Sequence, residues 1–398
     1  MDQIIKPFAL VASDLHLKRR TWSNRPIEGD SYFAWKQIVE HAIAHEVEVV
    51  ILAGDILDKQ INGSEPIVKL VEGITRLGKA GIQTLFIQGQ HEYQEIPWAS
   101  ISPYATHIHR NHYFEVDDAV IVGIDFQPKE RLFDELSWVY ETLDARPEET
   151  VLVMHQVWQD WMGDKALPQG ALQDVINFIP GLSLLITGDL HQSRLEDAES
   201  SEGELVQSLR VLSPGSTCMQ SIAEPEDKNC YLLTSRTSGE TSGTAGRAVA
   251  DILEVPLSSR RFIDWPFLSS PGDIEDVIRE FDEVFDETQS YAEANELPDF
   301  MRKPLVRFKY DYSLSGDIRR LENLVGDRGH IFLKEYAPSD DDNSFSSLTP
   351  DSRVLMSTLL DEVDCDENVR QLASRLLSGA DPTEELGRWQ KEKLNESS

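Results

Sequence analysis

The chain is poor in cysteine. Its 398 residues include three, Cys218, Cys230 and Cys365, with no CxxC spacing. An odd, scattered set argues against a disulfide framework or a thiolate zinc site and fits a reducing cytosol. Positive charge is equally scarce: 37 Lys and Arg stand against 70 Asp and Glu, a formal net charge of -33. That excess argues against a general nucleic-acid binder, because phosphate contacts rest on Lys and Arg. It leaves room for local basic patches and for bound cations, which invert the potential of an acidic site. No uninterrupted apolar run approaches the roughly 20 residues a membrane helix needs. The opening "MDQIIKPFALVASD" lacks a basic start and a small-residue cleavage site, so it reads as a first strand rather than a signal peptide.

What is present is alternation of strands and helices. Apolar strand candidates fall at Phe8–Ala12, Val47–Leu52, Thr84–Ile87, Ala119–Gly123, Val151–Met154 and Ser183–Ile186. Helical stretches at Tyr32–Ala44 and Glu65–Ala80 separate the first three, with apolar residues three and four apart. This order predicts an α/β layered fold, whose sites lie beyond the C-terminal ends of the strands. At a prior of about 100–200 residues per domain, the length suggests two or three domains. We expect a first domain over 1–256 and a smaller α+β domain over 257–338. A linker and an amphipathic helical tail follow over 339–398, suited to packing on its own domain or docking on a partner helix. "TSRTSGETSGTAGR" (234–247) reads as a loop or hairpin tip.

The polar residues after the strands share one chemistry. "SDLHL" carries Asp14 and His16, which alternate around Leu15 and so share a face. "GDILD" carries Asp55 and Asp58, and "GQHE" carries Gln90, His91 and Glu92. His155 follows in "MHQ", and Asp189 and His191 in "TGDLH". Carboxylate, imidazole and amide oxygen without thiolate favour manganese, iron or zinc. Two such ions about 3.5–4 Å apart clamp the attacking and leaving oxygens of a phosphoryl displacement. Asp55, centrally placed, suits the bridging ligand. His91, beside a ligand on its own loop, suits phosphate stabilisation or protonation of the leaving oxygen. Taken singly, each residue has a plainer role: Asp after a strand caps turns, and a lone His is more often structural than a ligand. Five turns carrying these residue types in this order are a different matter.

In that order the motifs resemble those of the calcineurin-like metallophosphoesterases: D-x-H, G-D-x-x-D/H, G-N-H-D/E, a lone H and G-H-x-H. Within that superfamily the chain is similar to the SbcD type, the nuclease subunit of the SbcCD DNA-processing complex. "VLSPGSTC" (211–218), "PLSSRRF" and "PLVRFKY" add to the likeness. The resemblance implies a layered sandwich with a capping domain and two divalent ions, manganese foremost, with magnesium or zinc as alternatives. It assigns one ion to Asp14, His16, Asp55 and His191. It assigns the other to Asp55, Gln90, His155 and Asp189, with His91 as the catalytic histidine. It further implies a homodimer, and an SbcC-type coiled-coil ATPase bound through the C-terminal helices.

Two positions depart from the pattern: Gln90 replaces Asn and Asp189 replaces His. Both residues still ligate, and both fall on the second ion, so a harder ion or an altered affinity is expected there. Asp58 stands where many SbcD-type chains carry a phosphate-handling histidine, and Glu92 is expected to orient His91. Lys18, Arg19 and Arg20 suit DNA phosphates at the mouth of the site. Arg260, Arg261, Arg302, Lys303, Arg307 and Lys309 make the second domain less acidic, as a DNA-contacting cap would be. Trp158 and Trp161 read as core or rim residues. The expected function is a metal-dependent DNA exo/endonuclease in repair or recombination. The alternatives are a phosphoesterase for small nucleotides or phosphodiesters, and a degenerate subunit that binds DNA or the ATPase without cleaving.

Overall fold

The computed structural model describes residues 7–18, 29–60, 63–109, 113–116, 119–142, 149–162, 170–200, 207–221, 224, 227–235 and 249–336. Arg19, Arg20, the tip of the 234–247 segment and the helical tail lie outside the described residues.

In chain order the strands are β1 Pro7–Ala12, β2 Val49–Ala53, β3 Gln83–Ile87, β4 Ala105–His107, β5 Phe114–Val116, β6 Ala119–Ile124, β7 Thr150–His155, β8 Leu184–Gly188, β9 Arg194–Ser200, β10 Gln207–Ser213, β11 Lys228–Ser235, β12 Val249–Leu257, β13 Phe262–Asp264, β14 Leu305–Asp311 and β15 His330–Tyr336. The helices are α1 Asp30–Ala44, α2 Ser64–Lys79, α3 Lys129–Thr142, α4 Gln159–Met162, α5 Leu172–Phe178, α6 Pro271–Ala294 and α7 Ile318–Val325. They build a mixed α/β fold with two six-stranded sheets, ordered β12-β11-β1-β2-β3-β4 and β5-β6-β7-β8-β10-β9, and a three-stranded sheet ordered β13-β14-β15.

The side-chain period of two explains the layering. Val49, Ile51 and Ala53 of β2 join Leu85 and Ile87 of β3, Val151 and Val153 of β7, and Leu184 and Ile186 of β8 in one buried cluster between the two large sheets. The intervening Val50, Leu52 and Phe86 pack instead with Trp35, Ile38, Leu70 and Ile74 of α1 and α2. On the far side, Leu152, Met154 and Leu185 pack with Leu132 and Leu136 of α3 and Val175 of α5. The result is helix, sheet, sheet, helix. Strands buried on both faces read as continuous apolar runs, which is why the sequence shows runs rather than alternation. Each such side chain contributes about 1.5–3 kcal/mol on burial.

β1 runs parallel to β2, β2 to β3, β6 to β7 and β7 to β8. The C-terminal ends of each parallel set therefore lie together, and each chemical motif begins where one of these strands stops. The chain divides into two compact units: Met1–Asp264 with Glu280–Val306 and Val325–Ile331, and Trp265–Arg279 with Arg307–Leu324 and Phe332–Ser398. All of the sheet-end motifs belong to the first. In the second, Leu314, Ile318 and Leu321 are buried, Arg320 pairs with Glu275 at 2.7 Å, and Leu268 N–H donates to the Lys309 carbonyl at 2.8 Å.

Candidate metal centre

Seven non-glycine residues among those described have positive φ, and four of them are Asp14 (52°), His16 (42°), Asp55 (47°) and Asp189 (77°). A left-handed non-glycine backbone costs about 1–2 kcal/mol, and its clustering marks a site held by its surroundings. Asp14 and His16 do face one way, as expected, but not through strand alternation. The chain zigzags through left-handed turns, and the flanking N–H groups bond across to the next motif: Asp14 to the Gly54 carbonyl (3.1 Å) and His16 to the Asp55 carbonyl (2.9 Å). Leu15 between them is buried in the core.

The structure brings the sequence-predicted residues together. His16 Nε2 and His191 Nε2 are 3.3 Å apart, and Asp14 Oδ1 lies 3.8 Å from His191 Nε2. Asp55 takes the centre. Its Oδ1 accepts from the His91 backbone N–H at 3.1 Å, while Oδ2 lies 3.6 Å from His16, 3.4 Å from His155 and 3.9 Å from His91. Three groups have ligand atoms close enough to share an ion: Asp14, His16 and His191; His16, Asp55 and His91; Asp14, Asp55 and His155. Asp189 reaches the last group through His155 at 4.0 Å. Its Oδ1 also accepts from Gln90 Nε2 at 2.6 Å. The two residues that depart from the pattern thus touch each other. That bond turns Gln90 Oε1 the other way, and this buried oxygen has no hydrogen-bond partner among the described residues.

The donor set fits divalent cations. A buried amide oxygen without a donor and three carboxylates close to one another are costly in an apolar interior and are relieved by positive charge. His155 donates through Nδ1 to the Ala53 carbonyl at 2.8 Å, which presents Nε2 to the site. Burial pushes Asp14 up to about 6, against the pull of His155 and His191. Burial disfavours the His155 imidazolium, yet Asp55, and then Asp14 and Asp189, outweigh it and hold its pKa at about 10. Burial also raises Asp55, but the same His155 and His16 overturn that and depress it.

Glycine makes the approach of these residues possible. A side chain at Gly89 would collide with the Asp55 carboxylate, and one at Gly54 with the His155 ring.

His91 is the exposed member, with 41% of its side chain open, and its Nδ1 lies 3.1 Å from the Asp58 carbonyl. Asp58 also turns its carboxylate to His16 Nδ1 at 3.7 Å, so it engages two imidazoles. Glu92 does not orient His91. It is buried and accepts from the N–H groups of Leu57 (2.5 Å) and Gly89 (3.3 Å), stapling the two motif loops together. Burial and then the charge of Asp55 push Glu92 up to about 8. Lys18 pairs with Glu65 at 3.5 Å. Arg260 is not a surface cation: it is 3% exposed, with two hydrogen bonds to Asp30 (2.8 and 2.7 Å) and one to the Lys303 carbonyl (2.7 Å). Trp158 and Trp161 are buried.

Two supports escaped the sequence reading. Asp125 accepts from the Gln88 N–H at 2.8 Å and pairs with His107 at 2.8 Å, bracing the strand end that carries Gln90. Burial raises Asp125, but the His107 contact outweighs it and lowers its pKa. Glu224 lies 2.8 Å from His191 Nδ1. Neither has a spacing signal, since both come from other parts of the chain.

Residues 9–193 match the sequence model of the calcineurin-like phosphoesterases. The DNA double-strand break repair protein Mre11 of Methanosarcina mazei is 26% identical over 309 residues, 75% of this chain and 44% of that protein. Its namesake from Methanosarcina acetivorans is 27% identical over 254 residues, 60% of this chain and 38% of that protein. The chain spans less than half the length of these two curated relatives. A dimetal phosphatase from Danio rerio aligns at 12% identity and a TM-score of 0.38, over 63% of this chain and 100% of its own. The chain carries a calcineurin-like phosphoesterase domain over residues 9–193.

Proposed function

We propose that the protein is a metal-dependent DNA nuclease of the SbcD type, a phosphodiester hydrolase of repair or recombination that works with an SbcC-type ATPase. The observation that carries this reading is the convergence of Asp14, His16, Asp55, His155 and His191 on one buried point, with ligand atoms within 4.8 Å of one another in overlapping groups. Names borne by relatives in DNA double-strand break repair support the substrate class. In this reading Asp14, His16, Asp55 and His191 hold one ion, and Asp55, Gln90, His155 and Asp189 the other. When bound, two divalent cations, manganese foremost, would neutralise the phosphate and steady the attacking and leaving oxygens.

The chain's own residues supply the rest. Asp55 is shared, so it sets the spacing of the two halves. His91, exposed and beside Asp55, meets the phosphodiester and serves the leaving oxygen. Asp58 steadies the His91 ring, and Lys18, Arg19 and Arg20 meet the flanking phosphates. Residues 257–338 form the DNA-contacting cap, and 339–398 the linker and partner-binding tail.

A second reading follows from the net charge of -33: a phosphoesterase for small phosphodiesters, which needs no long basic track. Metal-stripped protein given manganese, magnesium or zinc and then linear DNA or bis(p-nitrophenyl) phosphate separates the two. We expect manganese-dependent DNA cleavage that His91→Ala and Asp55→Ala abolish. Cleavage of the small ester alone would favour the second reading, and cleavage of neither, with the ATPase present, would leave a non-catalytic subunit.

A further inference from the structure

Glu224 lies 33 residues beyond His191, past the Pro-Gly-Ser turn, and no motif contains it. Its two carboxylate oxygens do different things. Oε2 accepts from the Ser216 hydroxyl at 2.7 Å, from Lys228 Nζ at 2.8 Å and from the Gln220 N–H at 3.0 Å. Lys228 Nζ also donates to Ser216 Oγ at 2.8 Å, which closes a ring of three side chains. Oε1 is left to His191 Nδ1 at 2.8 Å. Ser216 holds the other end of the same residue, its N–H donating to the His191 carbonyl at 3.2 Å. His191 is thus fixed at ring and backbone by one small network, and its Nε2 is turned toward Asp14 and His16.

We infer that Glu224 is a positioning residue for the metal centre: anchored by Ser216 and Lys228, its carboxylate holds His191 in the tautomer and orientation that present Nε2 as a ligand. The inference rests on the reading that Asp14, His16 and His191 hold an ion. The physical reason is general. An imidazole that donates one ring N–H to a carboxylate keeps its other nitrogen free, and is made a more basic ligand. Lys228 is 3% exposed, and a charge buried so deeply requires a partner. A simpler role for Glu224 would be counterion to Lys228 alone. That role needs only Oε2 and gives no reason for Oε1 to meet His191.

The test separates the two roles. Metal-stripped full-length protein is titrated with manganese chloride by calorimetry, as wild type, Asp14→Asn, Glu224→Gln and Glu224→Gln/Lys228→Met. The double variant removes the unpaired buried ammonium, so it folds even if Glu224→Gln does not. Thermal midpoints are read without metal. We expect the Glu224 variants to weaken one of two manganese sites by about 10–100-fold and to spare the other, with the double variant regaining thermal stability but not affinity. Wild-type affinity in a folded double variant would overturn the inference and leave Glu224 a counterion. Absence of any manganese site that Asp14→Asn weakens would overturn the underlying metal reading, and the inference with it.

Discussion

His191 is held from behind by a carboxylate, Glu224, whereas His155 is held by a backbone carbonyl, that of Ala53, both at 2.8 Å. The contrast extends through each half of the site. Around Asp14, His16 and His191, the supporting contacts run outward to Ser216 and a buried Lys228. Around Asp55, His155 and Asp189 they close inward: Gln90 donates to Asp189, and the Asp189 N–H donates to Asp14. The first half has a lysine, Lys228, behind its outer carboxylate. In the second, the proton on His155, kept to about pH 10, balances the carboxylates of the metal-free chain. Two neighbouring half-sites thus meet one requirement, neutralisation of crowded negative charge, by a fixed side chain in one case and an exchangeable proton in the other.

The largest effect belongs to the residue that breaks the comparison. Asp55→Ala removes the shared carboxylate, and we expect loss of both ions in a calorimetric titration. Survival of one tight site would mean that Asp55 serves a single half.

Next comes the Gln90–Asp189 pair. Gln90→Asn withdraws the amide by one methylene, and Asp189→His removes the acceptor, so each alone should weaken the second ion. Together they restore the residue types of the family pattern and should recover affinity. The cycle should give a coupling of about 0.5–3 kcal/mol, as for residues in direct contact. Additive losses would sink the claim that the pair acts as a unit.

The smallest effect sharpens the comparison through protons. His155 retains its proton to about pH 10 and Asp14 to about 6, and both must be deprotonated to ligate. Metal affinity should therefore rise with pH, steeply through 6 for the first half and still at 8 for the second. At pH 8, ligation by His155 should release about one proton and ligation by Asp14 almost none. Calorimetry in buffers of different ionisation heat reads this directly. Equal release from both halves would contradict the assignment of the proton to His155.

Much of the site was legible because its residues stand in short motifs at strand ends. Asp14 with His16, Asp55, Gln90 with His91, His155, and Asp189 with His191 are each visible beside an apolar run, and the runs are visible because both faces of each strand are buried. The roles of neighbours were less legible. Glu92 sits next to His91 in sequence, yet its side chain turns back to the N–H groups of Leu57 and Gly89. Arg260 looked like a surface cation and is the buried partner of Asp30, 230 positions away in the chain. Asp125 and Glu224 have no motif at all, because a supporting residue needs only to arrive at the right distance, from any part of the chain.

The sequence by itself determined the types and order of the candidate ligand residues, the α/β alternation and the excess of negative charge. These are local or summed properties, carried by residues a few positions apart. The tertiary structure alone decided that Asp55 lies within 3.4–3.9 Å of three histidines, that Gln90 meets Asp189 and that Glu224 backs His191. The reason is geometric. Two packed sheets of mainly parallel strands bring the ends of their strands together, so that residues more than a hundred positions apart meet, and which side chains then touch depends on register, on left-handed turns and on the space that Gly54 and Gly89 leave open.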